Sequence, residues 1–585
     1  MQAIKTSLIL LTRRRSTRRE RILRDVVTAG MVQPSAEAPL LVNGKSLSGG
    51  SARARDWSAY ISALSNLSIQ YNFASIAVAL ALMDDSQNHK HDPSYVPAYP
   101  RTLAQESLLK SLVFAGAICG QLTMGYAGDV WGRRNAMVLT NFLAFVGVLG
   151  SAVFTWGGHI YEILMACRFL IGVGVGGKYP LSATMRSEAC AAETSAYETA
   201  KGFFWQTPGA MLPYVVAVLA LQAYGREESP PVEVVSAEFR LVLGLGAAPA
   251  FLVMLLCASQ QDSEEFLALQ RRRAGGAARA EAAAVEAARA PSAGLPLAHV
   301  AAALPAPPVP TPQPAPGRAE RRSGGSSPTV SEQGDEDAPL CPPRQGWRAT
   351  SNSPIALALR HPEYWRRLGG TGVTWFLYDF VYYGTAYNQP AVLAMVFGQA
   401  STLYDNCTQS IILTAFGLPG VIAAILMLRW MGTKRLQSWG FVAIAVSSAA
   451  FAAASLFSPQ SKVSNFSLMC VLIFVLNWGV NVSSYVLPTE AFPMEVRSSF
   501  FGLSSGMGKM GALLAAAVFG PIASSCDHGL ALVFAICTAL SLVGVAATHY
   551  CVLPFGRDTW ECGLGAARGS TSRATGGGEE GNASP

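Results

Sequence analysis

The chain alternates between long stretches without charge and short stretches crowded with it. Residues 57–83, 111–128, 135–158, 202–225, 241–261, 406–428, 436–461 and 463–489 contain no Asp, Glu, Lys or Arg. A helix needs roughly 20 apolar residues to cross a hydrocarbon core, and these runs reach or approach that length. Three more stretches join them when one or two charges are tolerated: 163–185 with Arg168 and Lys178, 369–404 with Asp379, and 498–526 with Lys509. A last run, 529–556, carries only His549. The apolar positions are continuous rather than alternating, which excludes a membrane barrel of strands. The pattern predicts an all-α membrane protein with twelve transmembrane helices, six before residue 262 and six after residue 365.

Three segments break the pattern. Residues 1–56 form a basic arm containing Arg13, Arg14, Arg15, Arg18 and Arg19; 557–585 is a tail rich in Gly, Ser and Thr. Residues 262–362 are rich in Ala, Pro, Gly, Ser and Arg and read as a disordered cytoplasmic linker, apart from an Ala/Glu/Arg-rich helix near 263–290. The resulting division is 1–56, 57–261 (N-terminal six-helix bundle), 262–362, 363–556 (C-terminal six-helix bundle) and 557–585.

Composition agrees with this reading. Charged residues make up 14% of the 585 and hydrophobic residues 51%, against roughly 25% charged in soluble domains. The 11 cysteines fall singly, without metal-ligand spacing, so no metal or cofactor is expected. Nothing resembles a catalytic loop or nucleophile elbow, and an enzyme is not expected. The net charge of +7 could indicate nucleic acid, so placement decides. With residue 1 in the cytoplasm, outer loops and edges hold only Lys90, Arg101, Lys110, Arg226, Arg240 and Lys462. Arg168, Lys178 and Lys509 lie within spans, and every other Lys and Arg falls inside. The basic excess therefore faces anionic lipid rather than nucleic acid. Both termini are expected in the cytoplasm and the protein in the plasma membrane, an organellar membrane being the alternative.

The two halves repeat. Tyr71-Asn72-Phe73 matches Tyr378-Asp379-Phe380, and Gly132-Arg133-Arg134 matches Gly432-Thr433-Lys434. Ser187-Glu188 matches Thr489-Glu490, and Gly209-Ala210 matches Gly511-Ala512. Four matches in order at nearly one offset predict two six-helix pseudo-repeats, with a substrate site between them near the bilayer midplane.

The charges inside spans point to chemistry. A charge at the centre of a span costs about 2.5–3.5 kcal/mol on insertion scales, so each needs a partner or a function. Trp375, Asp379 and Tyr383 are spaced by four and share a helical face that offers an indole, a carboxylate and a phenol. Lys178 and Lys509 add cations from opposite halves. Opposed cations with amide and hydroxyl donors suit a small tetrahedral oxyanion.

The motifs carry a family resemblance. Gly125-Tyr126-Ala127-Gly128-Asp129-Val130-Trp131-Gly132-Arg133-Arg134 resembles the loop signature between helices 2 and 3 of the major facilitator superfamily, and Arg168 with Gly172, Gly174, Gly176 and Gly177 resembles its helix 4 motif. Gly176-Gly177-Lys178-Tyr179-Pro180-Leu181-Ser182-Ala183 is similar to the signature of the phosphate:proton symporter family, in which Asp is usual where Lys178 stands. The resemblance implies the major facilitator fold and a site for inorganic phosphate, or a similar small anion, at Lys178, Tyr179, Gln206, Trp375, Asp379, Tyr383, Asn481 and Lys509. It also implies conformational roles for Asp129, Arg133, Arg134, Arg168, Glu188 and Glu490. Coupling departs from the family: Lys178 replaces an acid, and Ile69 and Asn72 stand where helix 1 acids are usual. Asp379 is then the remaining proton-coupling candidate, with protons or another ion as partner. Three readings remain: a phosphate carrier, a facilitator of another solute (an organic anion, phosphate ester or sugar), and a non-transporting sensor that signals through the 262–362 linker.

Overall fold

The computed structural model describes residues 56–83, 99–224, 231–289, 354, 358–359, 362–397, 402–458, 461–525 and 528–552. The basic arm, the tail and the linker beyond residue 289 lie almost wholly outside the described residues.

Twelve helices stand in the expected order among the described residues. They are α1 Ser58–Met83, α2 Leu103–Trp131, α3 Arg133–Val153, α4 Ile160–Glu188, α5 Ala192–Ala223, α6 Val232–Ser259, α7 Pro362–Phe397, α8 Leu403–Met431, α9 Thr433–Phe457, α10 Lys462–Ala491, α11 Arg497–Ser525 and α12 Gly529–Cys551. Eleven are long and apolar enough to cross a bilayer, and α7, at 36 residues, completes the count. A further helix, Glu264–Arg289, follows α6 where the Ala/Glu/Arg run predicts one.

Several helices extend beyond the charge-free runs that reveal them. α2 starts eight residues before 111 because Thr102 and Gln105 form a capping box that satisfies free N–H groups of its first turn. Glu106 then pairs with Lys110 at 2.5 Å and Arg101 at 3.1 Å. Hydropathy marks the part of a helix at lipid depth; polar caps and ion pairs carry it further.

Helices α5, α6, α8 and α10 are interrupted mid-course. In α10 the break falls at Gly479, whose φ of +80° is a left-handed conformation that disfavours any side chain. A Cβ there would lie 2.7 Å from Gly440 of α9, so close packing also requires glycine. The break aims the second half of α10, with Asn481 and Tyr485, toward the other bundle.

Glycines set the tightest helix contacts. A Cβ on Gly172 would fall 2.3 Å from the Val113 carbonyl, and one on Gly176 would fall 2.2 Å from that of Ala117, so α4 lies backbone to backbone on α2. Gly125 and Gly502 do the same between α2 and α11, which joins the two halves.

The internal repeat is visible in specific bonds. Gly132 and Gly432 both take positive φ before α3 and α9. Arg134 then donates to the Cys257 and Ala258 carbonyls at the end of α6, while Lys434 donates to those of His549 and Val552 at the end of α12. Gly209 presses on α1 at Leu67, as Gly511 presses on α7 at Phe376. The tyrosine pair diverges: Tyr71 bonds the Val242 carbonyl of α6, and Tyr378 that of Leu476 in α10.

Gly176→Ala should therefore lower the melting temperature in detergent by several degrees, the effect of about 1–3 kcal/mol of overpacking. Gly158→Ala, where nothing lies within 4 Å, should leave it unchanged. Equal melting of the two variants would contradict the backbone-contact reading of α2 and α4.

Candidate functional site

Lys509 reaches the middle of the bundle because its helix can approach α7 closely. Gly508 and Gly511 flank it, and Cβ atoms at those positions would meet the Trp375 ring at 2.6 Å and the Phe376 carbonyl at 2.3 Å. With α11 and α7 in backbone contact, the Lys509 ammonium lies 2.8 Å from Asp379 Oδ2 and 3.2 Å from the Tyr383 hydroxyl. Lys509 is 2% exposed and Asp379 3%, far too buried for the ion pair to be a surface ornament. The rings of Tyr179, Tyr383 and Phe73 surround the ammonium at 5.1, 4.7 and 5.5 Å.

Both charges belong to the second half of the chain; the first half contributes neutral donors. Gln70 donates to Gln206 at 3.0 Å, Gln206 to Asn66 at 2.8 Å, and Asn66 to the Tyr485 hydroxyl at 3.2 Å. Tyr485 is also bonded to Ser182 at 2.9 Å. This line of amides and hydroxyls passes from α1, α4 and α5 to α10 and ties the halves together beside the ion pair. Asn481 donates to Asn477 at 3.2 Å across the α10 break.

A cavity of about 10 Å³ opens between these groups, lined by Gln70, Tyr179, Phe203, Gln206, Trp375, Tyr378, Asp379, Tyr382, Tyr383, Asn481, Ser484 and Lys509. That is room for about one water. A five-atom oxyanion requires the walls to move apart.

Seven of the eight expected binding residues line this cavity: Tyr179, Gln206, Trp375, Asp379, Tyr383, Asn481 and Lys509. Lys178 does not. It points into the first bundle, wholly buried, with its ammonium 2.7 Å from the Ser68 hydroxyl of α1. Gln70, Asn66, Tyr485 and Ser484 were not singled out by sequence. Asn66 and Gln70 were findable, since two amides four residues apart share one face of a charge-free span.

A second polar cluster closes one end of the bundle. Arg133 bonds Asp129 at 2.5 Å, Glu188 at 3.0 Å and the Met494 carbonyl at 2.9 Å. Asp129 accepts from the Ser498 and Ser499 amides at the start of α11, and Arg497 stands 3.5 Å from Glu188. The Glu264–Arg289 helix covers this cluster. Phe266 stacks on Arg133 at 4.2 Å, and Arg273 donates to the Asp129 and Glu495 carbonyls at 2.8 and 2.9 Å, one in each half. Burial lowers the affinity of the Arg273 guanidinium for its proton. Burial raises the Asp262 carboxyl, while the Arg134 N–H it accepts at 2.9 Å pulls it back down. Of the residues expected to act in conformational change, Asp129, Arg133 and Glu188 meet here. Arg134 caps α6 nearby, Arg168 instead bonds the Asn72 carbonyl of α1 at 2.6 Å, and Glu490 is exposed.

Comparison with known proteins agrees with the fold. Residues 58–291 and 359–552 match the family described as sugar (and other) transporter. The chain is 32% identical over 455 residues to the Toxoplasma gondii protein named inorganic phosphate transporter PT2, covering 77% of this chain and 64% of that one. It is 27% identical over 420 residues to the rice protein named probable inorganic phosphate transporter 1-9, covering 68% and 66%. The chain thus spans just under two thirds of the length of these relatives. The solved structure of the major facilitator proton:xylose symporter XylE with 6-bromo-6-deoxy-D-glucose superposes with a TM-score of 0.60 at 15% identity, over 85% of this chain and 95% of that one.

Arg273→Ala should open the closed end. On a background with the other cysteines replaced, labelling of Met494→Cys by a membrane-impermeant maleimide should rise about five- to tenfold, the effect of losing hydrogen bonds worth about 1–1.4 kcal/mol. Unchanged labelling would mean that the helix rests on the cluster without restraining it.

Proposed function

This chain belongs to the sugar (and other) transporter family of the major facilitator superfamily, and from that premise we propose that it carries inorganic phosphate across a membrane by alternating access. The observation that carries the reading is the buried Lys509–Asp379 pair, ringed by neutral donors from both halves. The names of the relatives support it.

The pair suits phosphate more closely than a generic anion. At neutral pH phosphate is largely a protonated oxyanion, so it both accepts and donates hydrogen bonds. Lys509, Gln206, Asn481, Trp375 and the tyrosine hydroxyls donate to its oxygens. Asp379 accepts only, and its partner is the P–OH. Sulfate carries no proton at this pH and would meet Asp379 with repulsion alone, which makes the carboxylate a selectivity device. In this reading the bundles 57–261 and 363–556 rock about the site, with the Asp129/Arg133/Glu188 cluster closing the cytoplasmic end. Both termini then lie in the cytoplasm, the orientation that the Lys and Arg distribution favours, and the membrane proposed is the plasma membrane, with an organellar membrane as the alternative.

The second reading is a phosphate monoester, which shares the phosphoryl oxygens but at neutral pH is mostly a dianion without a P–OH. Radiolabelled phosphate uptake into proteoliposomes, competed by sulfate, glycerol phosphate and hexoses, separates these. Phosphate alone should compete well, and sulfate at least about a hundredfold less; strong competition by hexose would contradict the proposal. Lys509→Gln should abolish uptake, leaving the Asp379 carboxylate buried and unpaired. Asp379→Asn should weaken uptake and narrow the preference over sulfate about tenfold.

A further inference from the structure

Four tyrosines line the cavity, Tyr179, Tyr378, Tyr382 and Tyr383, and three of them are engaged by the protein. Tyr378 donates to the Leu476 carbonyl at 2.8 Å. Tyr383 accepts from Lys509 at 3.2 Å, and Tyr179 sits against the same ammonium. The Tyr382 hydroxyl makes no hydrogen bond among the described residues. The ring itself is held firmly, packed on those of Tyr378 and Tyr383 at 5.6 and 5.2 Å, and the residue is half-buried. The amides of the wall are already in use, since Gln206 bonds Gln70 and Asn66 and Asn481 bonds Asn477. A phenol without a partner at this depth carries a desolvation penalty that a phenylalanine of the same shape would avoid. The hydroxyl therefore calls for a ligand that the protein does not supply.

We propose that the Tyr382 hydroxyl is a phosphate ligand, donating to an oxygen of the anion whose P–OH is held by Asp379. The inference rests on the phosphate reading and deepens it by a binding group outside the set expected from sequence. Tyr382 follows Asp379 by three residues on α7, so the two share a helical face, and it feels the charges of both Asp379 and Lys509. Neighbouring oxygens of one tetrahedral anion meet both groups together: Asp379 accepts from the P–OH, and Tyr382 donates to the P–O⁻ beside it. In the empty cavity the room for about one water serves the hydroxyl. The arriving anion replaces that water with a charge-assisted bond, which is the stronger kind. Because the two neighbouring rings already fix the phenol, little side-chain freedom is lost on binding. A donor serves phosphate and sulfate alike, so Tyr382 adds affinity while Asp379 sets the selectivity.

The test uses the purified full chain. Wild type, Tyr382→Phe and Tyr71→Phe are compared in proteoliposomes for the KM and maximal rate of labelled phosphate uptake, and in detergent for melting temperature. Tyr382→Phe should raise KM about tenfold, the loss of one hydrogen bond to a charged group, with the maximal rate little changed. Its melting temperature and its preference for phosphate over sulfate should match the wild type. Tyr71→Phe should do the reverse, lowering the melting temperature and leaving KM alone, because the Tyr71 hydroxyl is spent on the Val242 carbonyl at 2.7 Å. An unchanged KM in Tyr382→Phe would mean that the hydroxyl serves only water, and overturns the proposal. A raised KM together with a melting temperature lowered as far as that of Tyr71→Phe also overturns it, since the hydroxyl then belongs to the fold. A wild type that takes up no phosphate defeats the phosphate reading and this one with it; wild-type uptake with an unchanged KM in Tyr382→Phe defeats this one alone.

Discussion

A buried ammonium and a buried carboxylate 2.8 Å apart, on α11 and α7, are the contact around which the rest of the bundle is arranged. Two charges at membrane depth are costly to desolvate, and removing either leaves the other stranded. The surrounding sequence meets that cost locally. Glycines on either side of Lys509 let its backbone touch α7, tyrosine rings shield the ammonium, and a phenol supplies a second hydrogen bond. The first half of the chain adds no charge to this centre, only amides, hydroxyls and aromatic faces.

This division gives each half a different task. In the proposed function the second half holds the charged pair that the anion engages, and the first half closes over it with groups that adapt to either face of a hydrogen bond. The line from Gln70 through Gln206, Asn66 and Tyr485 crosses between the halves, so separating them breaks identifiable bonds rather than a diffuse surface. At the far end, Asp129 and Arg133 make a second set of inter-half bonds, covered by the Glu264–Arg289 helix. α2 and α11 lie in close contact, α2 carrying Asp129 and α11 carrying both the Ser498 and Ser499 amides that it accepts from and Lys509.

Much of the fold was legible because membrane depth forbids charge. Runs free of charge, or carrying only one or two charges, locate the spans, and among the few charges within them are Asp379 and Lys509. Helix ends were less legible: α2 begins well before its apolar run because Thr102, Gln105 and Glu106 satisfy that turn in polar surroundings. The site was legible where a residue was unusual for its depth, or where a motif resemblance named it. Tyr485 escaped because a single phenol in a span is ordinary, and only the crossing of α1, α5 and α10 brings it beside the cavity, whereas Gln70 could be read from its four-residue spacing to Asn66. Lys178 shows the opposite failure. Its rarity at that depth suggested a site residue, but the rotation of α4 turns it toward α1, away from the cavity that the adjacent Tyr179 enters.

The most direct measurement is a cryo-electron microscopy structure of the full chain with saturating phosphate. The expected result is tetrahedral density between the halves, within hydrogen-bond reach of Lys509, Asp379 and at least one of Tyr179 and Gln206, with the cavity enlarged to hold it. Density confined to the Arg133 cluster, or an unaltered Lys509–Asp379 contact with no anion beside it, would contradict a phosphate site at the centre of the bundle.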